Sequence, residues 1–288
     1  MTHHDDQTGG LHATAPAVDL VVVSYNSADH LRALWAPKTW APGVSVYVVD
    51  NSSADDSADV AKQFAVEVAV IPNRGLSIAN NVGASFGTAP YVVFCNPDLD
   101  IDQAAVDALV AHLRREACLV TGRLVNPDGS PQPNARRFPT VRRQLASRGL
   151  GRALYRDDYL WGPTDGTART DWFVGACLGV RRRDLIRLGG WPNQYFLYFE
   201  DVALCREAWR QQLPVYIDND IVIGHAWSRG SRTISRSAAR HARSALRFYA
   251  ENPRLIWPSA RAGLVEPVMS AARRERVTRS VSRSFRQP

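Results

Sequence analysis

The chain has 288 residues, of which 45% are hydrophobic and 22% charged, the balance of a globular protein with one substantial domain and an appendage. It holds no apolar run of 18 residues, which excludes a spanning helix, and its four scattered cysteines form no C-x-x-C, which argues against zinc and for reduced thiols in a cytosolic protein. The net charge of +7 is uneven: from Arg229 onward fourteen arginines face three glutamates, so this part carries +11 and residues 1–228 carry −4.

In chain order, residues 1–17 lack a basic start and an apolar stretch, so a disordered leader is expected rather than a signal peptide. "VDLVVVSYN" (Val18–Asn26) is a continuous apolar run closing in polar residues, the pattern of a strand buried on both faces. A helix is expected from about Ser27, then a second strand in "VSVYVVDNSS" (Val44–Ser53). "DDSADVAKQFA" reads as a helix with Asp55 or Asp56 near its cap. "VEVAVIPN" reads as a third strand, "SIANNVGASFG" as a helix, and "YVVFCNPDLDID" as a fourth strand breaking into an acidic turn. Alternating strands and helices predict an α/β layer with a mostly parallel sheet, and such sheets place ligands at the strand ends.

Asp50 stands at such an end, where a carboxylate can accept from a nucleobase N–H or ribose hydroxyls, or cap the next helix. The first strand has no G-x-G-x-x-G after it, which counts against a dinucleotide dehydrogenase. In "NPDLD" (residues 96–100), Asp98 or Asp100 can hold a hard divalent cation through oxygen; Asn-Pro-Asp is equally a turn.

Past Arg123 the pattern loosens. "NPDGSPQPNARRFPT" and "GLGRALYRDDYLWGPTDGTARTD" read as loops, "DWFVGACLGVRR" as a short strand, "EDVALCREAWRQQ" as a helix and "PVYIDNDIVIGHAW" as a strand pair ending at His225. In "QYFLYFEDVALC" two carboxylates, Glu200 and Asp201, follow a run of aromatics. They are either helix-start residues favoured by the dipole, or one of them takes a proton from an acceptor hydroxyl, and the two roles are compatible. His225 is a structural histidine or a ligand of metal or diphosphate.

Taken in order, "VVVSYNS", "VVDNSSADDS", "PNRGLSIANNVGASFG", "FCNPDLDI", "WFVGACLGVRRRDLIRLGGWPNQYFLYFEDVALCREAW" and "IGHAWSRGS" resemble an inverting glycosyltransferase of family 2 with the GT-A fold, over roughly residues 18–230. The subgroup most similar is the bacterial rhamnosyltransferase-like one. The resemblance implies a catalytic domain over 18–228 and a basic helical segment over 229–288. It implies that Asp50 contacts the base, and that Asn73, Gly75 and Asn81 line the nucleotide pocket. Asp98 and His225 would hold Mg²⁺ or Mn²⁺ with Asn96 in support; Asp201 would be the general base with Glu200 beside it. Gly175, Ala176 and Cys177 would line the sugar and acceptor site. The implied donor is dTDP-rhamnose, and the implied acceptor a lipid-linked or cell-envelope glycan. Two positions depart from the pattern: Asn96 leaves the metal site one carboxylate short, and Ala203 stands where relatives have a further acid.

Arg229, Arg232, Arg236, Arg240, Arg243 and Arg247 recur at spacings of three and four, an arc of about 80° on a helix. Ile234, Ala238, Ala242, Ala245, Phe248 and Tyr249 fall opposite and are expected to dock on the body. Anionic lipid would attract such a stripe by about 1 kcal/mol per residue. A lipid-linked acceptor favours a membrane over nucleic acid as its partner, with peripheral binding at the inner face of the plasma membrane. Two competing readings are a nucleic-acid-binding protein that uses the stripe, against which the body lacks interleaved basic and aromatic strand positions, and a transferase using a UDP-sugar.

Overall fold

A computed structural model describes residues 18–141, 143, 165–226 and 234–256. The leader, Arg229, Arg232 and the tail beyond Ile256 lie outside the described residues. Three strands form the centre: β1 (Val18–Ser24), β2 (Val44–Asp50) and β4 (Tyr91–Cys95). Every residue of β1 is buried, because β2 and β4 flank it in parallel register and both faces are covered. Leu20 and Val22 enter one core cluster with Trp35, Val48, Leu109 and Leu113, whereas Val21 enters the other with Phe94, Phe173, Trp191 and Phe248. The period-two alternation thus divides one apolar run between two cores.

The ten-stranded sheet runs β3-β2-β1-β4-β11-β6-β12-β5, with β3 at Glu67–Val70, β5 at Leu99–Asp100, β6 at Leu119–Val125, β11 at Cys177–Arg181 and β12 at Val215–His225. Off this path β7 (Pro131–Gln132) pairs with β6 and β9 (Thr167–Arg169) with β12, while β8 (Ala135–Arg136) and β10 (Trp172–Phe173) form a separate two-stranded sheet. It is parallel from β3 through β4; β11 then enters antiparallel to both β4 and β6, and β12 pairs with β6 in parallel. The inverted β11 brings the residues before it, Gly175 and Ala176, to the edge where β2 and β4 end. The Asn96 N–H accordingly donates to the Ala176 carbonyl at 2.8 Å. The expected strand pair near the C-terminus is one strand, β12, with a bulge between Asp218 and Val222. The polar "DND" within it marks that bulge rather than a turn.

The helices are α1 (Ala28–His30, continued by a π turn over Leu31–Trp35), α2 (Ser57–Ala61), α3 (Leu76–Phe86), α4 (Gln103–Arg115), α5 (Arg182–Leu188), α6 (Glu200–Arg210) and α7 (Ile234–Glu251). Asp102 caps α4 by accepting from the Ala105 N–H at 2.8 Å, a bond worth about 1 kcal/mol. Asp55, one residue before the α2 cap position, instead ties two helix starts together through Ala28 N–H and Ser57 N–H. Buried Asp19 in β1 is balanced by Arg182 of α5 at 2.5 Å, and Arg182 also donates to the Ala89 carbonyl.

Helix α7 docks through Ser244, Phe248 and Tyr249, and Phe248 is wholly buried in the second core. Ala238 and Ala242, expected on the docked side, are exposed, because the contact stripe is rotated toward His241, Ser244 and Phe248. Among the described residues no helix is long and apolar enough to cross a membrane.

Candidate active site

A cleft of about 1300 Å³ opens at the edge where β4 ends and β11 begins. That is larger than the roughly 300–1,000 Å³ of a single small-molecule site, so it has room for two substrates side by side. Asn96, Asp98, Gly175, Ala176, Glu200, Asp201 and His225 all line it.

One wall carries Asp98 and His225. The turn holding Asp98 is pinned by Trp35, whose indole N–H donates to the Pro97 carbonyl at 3.0 Å, and by the Ala226 N–H on the Asp98 carbonyl at 2.9 Å. Asp98 Oδ2 lies 3.4 Å from His225 Nε2. Burial by itself raises the Asp98 pKa, but the His225 hydrogen bond and charge outweigh it and hold the group below its ordinary value. Asp100, the alternative, is spent on Lys38 at 2.7 Å and its side chain faces solvent, so Asp98 is the carboxylate that serves the cleft.

Gln132, in the loop where no element is expected, sets the histidine. Its amide nitrogen donates to Asn126 Oδ1 at 2.7 Å and to the His225 carbonyl at 3.0 Å, which leaves its oxygen to accept from His225 Nδ1 at 2.8 Å. Nδ1 is thereby held by Gln132, and Nε2 is the ring nitrogen that faces Asp98. Among the described residues no three His, Cys, Asp or Glu side chains converge on one point. Two hard donors 3.4 Å apart nevertheless match the spacing of about 3 Å between neighbouring ligands of an octahedral ion with bonds of about 2.1 Å. The donor set fits a divalent cation that keeps most of its positions for phosphate and water.

The carboxylate pair at the start of α6 lines the same cleft. Tyr198 and Phe199 before it both adopt φ of +69°, a left-handed conformation that costs a non-glycine residue about 1–3 kcal/mol. Asp201 Oδ2 accepts the Gly175 N–H at 3.0 Å and Oδ1 its neighbour Val202 N–H at 2.8 Å. A side chain at Gly175 would meet Asp201 Cβ at 3.1 Å and the Trp191 ring at 3.2 Å, so the approach suits glycine. Burial raises the Asp201 pKa; the two N–H groups and the Arg136 charge act against it without cancelling it. Glu200 is buried and one of its oxygens has no hydrogen-bond partner among the described residues. Burial, then the Asp201 charge, push its pKa up to about 8.

Several expected site residues sit elsewhere. Asn81 spends its side chain on the Trp191 N–H and carbonyl and on Asn193, tying α3 to the loop after α5, away from the cleft. Cys177 is buried in the core opposite Cys95, and a hydrogen bond between the two free thiols, then burial, push the Cys95 pKa well up. Gly75, at φ of +104°, packs against the Phe196 backbone, whose oxygen would lie 2.4 Å from an added Cβ. Asn73 accepts the Gly75 N–H at 3.3 Å. Asp50 is buried at the end of β2 and accepts from Ser53 N–H and Oγ–H at 2.9 and 2.5 Å, beside the cleft rather than in its lining. Among the lining residues not foreseen are Gln132, Arg136 and His241. The first two lie in a loop without periodicity, and His241 reaches the cleft only because α7 folds back on it.

The family profile for "Glycosyl transferase family 2" matches residues 19–166. The chain is 32% identical to the N-acetylglucosaminyl-diphospho-decaprenol L-rhamnosyltransferase of Mycobacterium tuberculosis, over 77% of this chain and 80% of that protein. It is 23% identical to the low-salt glycan biosynthesis hexosyltransferase Agl10 of Haloferax volcanii, over 69% and 63%. In three dimensions it superposes on the mannosyltransferase PcManGT of Pyrobaculum calidifontis, solved with GDP-Man and Mn²⁺ (TM-score 0.56, 18% identity, 84% of this chain and 65% of that one). It also superposes on GalNAc-T7, solved with UDP, GalNAc and Mn²⁺ (TM-score 0.59, 14% identity, 84% and 51%). The fold is therefore that of the GT-A glycosyltransferases, and the sequence match is specific enough to go further: this chain belongs to glycosyltransferase family 2.

Proposed function

We propose that this glycosyltransferase moves L-rhamnose from dTDP-rhamnose to a hydroxyl of a lipid-linked glycan, with inversion at the anomeric carbon. One observation carries the reading: a single cleft is lined by both the Glu200–Asp201 carboxylate pair and the Asp98–His225 pair. An inverting displacement needs that division, with a base on the acceptor side and charge neutralisation on the leaving side. The mycobacterial relative, named for rhamnosyl transfer to a diphospho-decaprenol acceptor, supports both donor and acceptor class.

In this scheme Asp201 takes the proton of the acceptor hydroxyl while that oxygen bonds to the anomeric carbon. The bond to the diphosphate breaks, and the nucleoside diphosphate leaves with the electron pair. The Gly175 and Val202 N–H groups hold Asp201 ready for this. Glu200 flanks it, Gly175 and Ala176 line the acceptor side, and Asn96 stands beside Asp98. Asp98 and His225 would hold Mg²⁺ or Mn²⁺, which would supply charge neutralisation for the diphosphate. Asp50 and Asn73 serve the base side of the donor, with Gly75 shaping the turn between them and Phe196. Asn81 and Cys177, fully engaged elsewhere, have no part in it. The exposed Arg243 and Arg247 of α7 face an anionic membrane, where a lipid-linked acceptor would be met.

The test is thermal stability against a panel of sugar nucleotides with and without Mn²⁺, since a ligand of the folded state raises the melting temperature by mass action. A rise with dTDP-rhamnose that shrinks in Asp98→Ala is the expected result. A rise with UDP-sugars alone removes rhamnose and keeps the transferase. No rise with any sugar nucleotide, together with salt-dependent RNA binding, would overturn the catalytic reading.

A further inference from the structure

Six consecutive residues lead into the carboxylate pair, and each has a partner on α7. The Gln194 carbonyl accepts from Arg247 at 3.5 Å, and the Tyr195 hydroxyl donates to Glu251 at 2.7 Å. The Arg240 guanidinium lies 4.8 Å over the Phe196 ring, and Ser244 Oγ–H donates to the Leu197 carbonyl at 2.8 Å. His241 stands 5.3 Å from both the Tyr198 and Phe199 rings, and Phe199 also meets Phe248 at 5.2 Å. From the other side, the Leu76 N–H donates to the Phe196 carbonyl at 2.9 Å. The segment is thus a strap, sewn to α7 along its length and to the start of α3 at its middle.

The strap ends in the two left-handed residues, Tyr198 and Phe199, directly before Glu200 and Asp201. Such a conformation persists only where its surroundings over-determine it. Here most of those surroundings belong to α7.

We propose that α7 is a positioning element of the reaction: by holding Gln194–Phe199 residue by residue, it fixes the turn that presents Glu200 and Asp201 to the cleft. The basic helix is then part of the catalytic unit as well as a membrane-facing surface. Tyr195, Arg240, His241 and Ser244 act through the carboxylates. The catalytic half of this statement rests on the transferase reading; the structural half does not.

The double variant Tyr195→Phe and Ser244→Ala removes two strap bonds without adding volume, and alanine leaves the helix propensity of α7 intact. The first readout is hydrogen exchange on the full chain. Amides of 196–202 should exchange about ten-fold faster in the variant, with those of Val18–Ser24 and Tyr91–Cys95 unchanged. Unchanged exchange at 196–202 overturns the proposal whether or not the chain transfers sugar.

The second readout uses dTDP-rhamnose and a GlcNAc-diphosphate-polyprenol. Misplacing the base should lower kcat about ten-fold and leave the donor KM alone. The acid limb of the kcat profile should move to lower pH, because water admitted around the carboxylates relieves the burial that raises them. A variant with a lower melting temperature but the same kcat and acid limb has lost only stability, and that result overturns the proposal. If the wild-type chain turns over no sugar nucleotide, the transferase reading falls and the exchange measurement alone decides.

Discussion

Glu200 illustrates what a buried carboxyl does to both chemistry and stability. Its unpartnered oxygen and its burial favour the neutral form, and Asp201, which takes the N–H donors of Gly175 and Val202, is the better seat for the charge. The sign of the pH effect follows from the raised pKa of about 8. Below about pH 4 the group is protonated in folded and unfolded chains alike. Between there and pH 8 the unfolded chain releases the proton and the folded one keeps it, so stability falls as pH rises. Glu200→Gln should therefore flatten the melting temperature between about pH 5 and pH 8 and raise it at pH 8. A wild-type profile that is already flat across that window would show that Glu200 is ionised in the folded chain.

At the level of elements, the strongest tie is the one that no pattern of hydrophobicity reveals. Asp19 sits inside the central strand as an apparent exception to its apolar run, and Arg182 at the start of α5 answers it, joining residues 163 positions apart. Removing one partner of such a pair leaves an uncompensated charge in the core. Arg182→Met should cost about 3–5 kcal/mol in urea unfolding, more than a surface arginine could. A loss below about 1 kcal/mol would mean that the pair contributes no more than a solvent-exposed one.

At the scale of the whole molecule, α7 gives the enzyme a basic outer face with Arg243 and Arg247 exposed and Leu246 between them 73% exposed. Binding to anionic vesicles should be peripheral and should fade between about 0.1 M and 1 M salt, as the screening length falls from about 10 Å to about 3 Å. Flotation with anionic and zwitterionic vesicles measures this, and equal binding to both would remove the electrostatic account. The same scale shows what a sequence makes legible. Strands β1, β2 and β4 were readable because burial on both faces demands unbroken apolar runs, and their polar ends mark the ligand edge. Asp98, Asp201 and His225 stand out in the sequence as ionisable groups at element ends, and the fold brings all three to one cleft. Asn81 and Cys177 do not line the cleft, since an amide or thiol near a site looks the same in sequence whether it faces ligand or core. Gln132 and His241 were silent: each acts through a partner 93 or more than 40 positions away, and no local period encodes that distance.

The strap also orders events in time. During synthesis Asp201 is made 50 residues before Glu251, the far end of the helix that seats it. At about 5–20 residues per second that is an interval of about 2.5–10 s. Through it the nascent chain has its nucleotide-side strands and both carboxylates but lacks the α7 contacts that hold the left-handed turn. A released chain truncated before residue 234 would accordingly keep the strands of its first core yet be unable to transfer a sugar, so activity arrives only with α7.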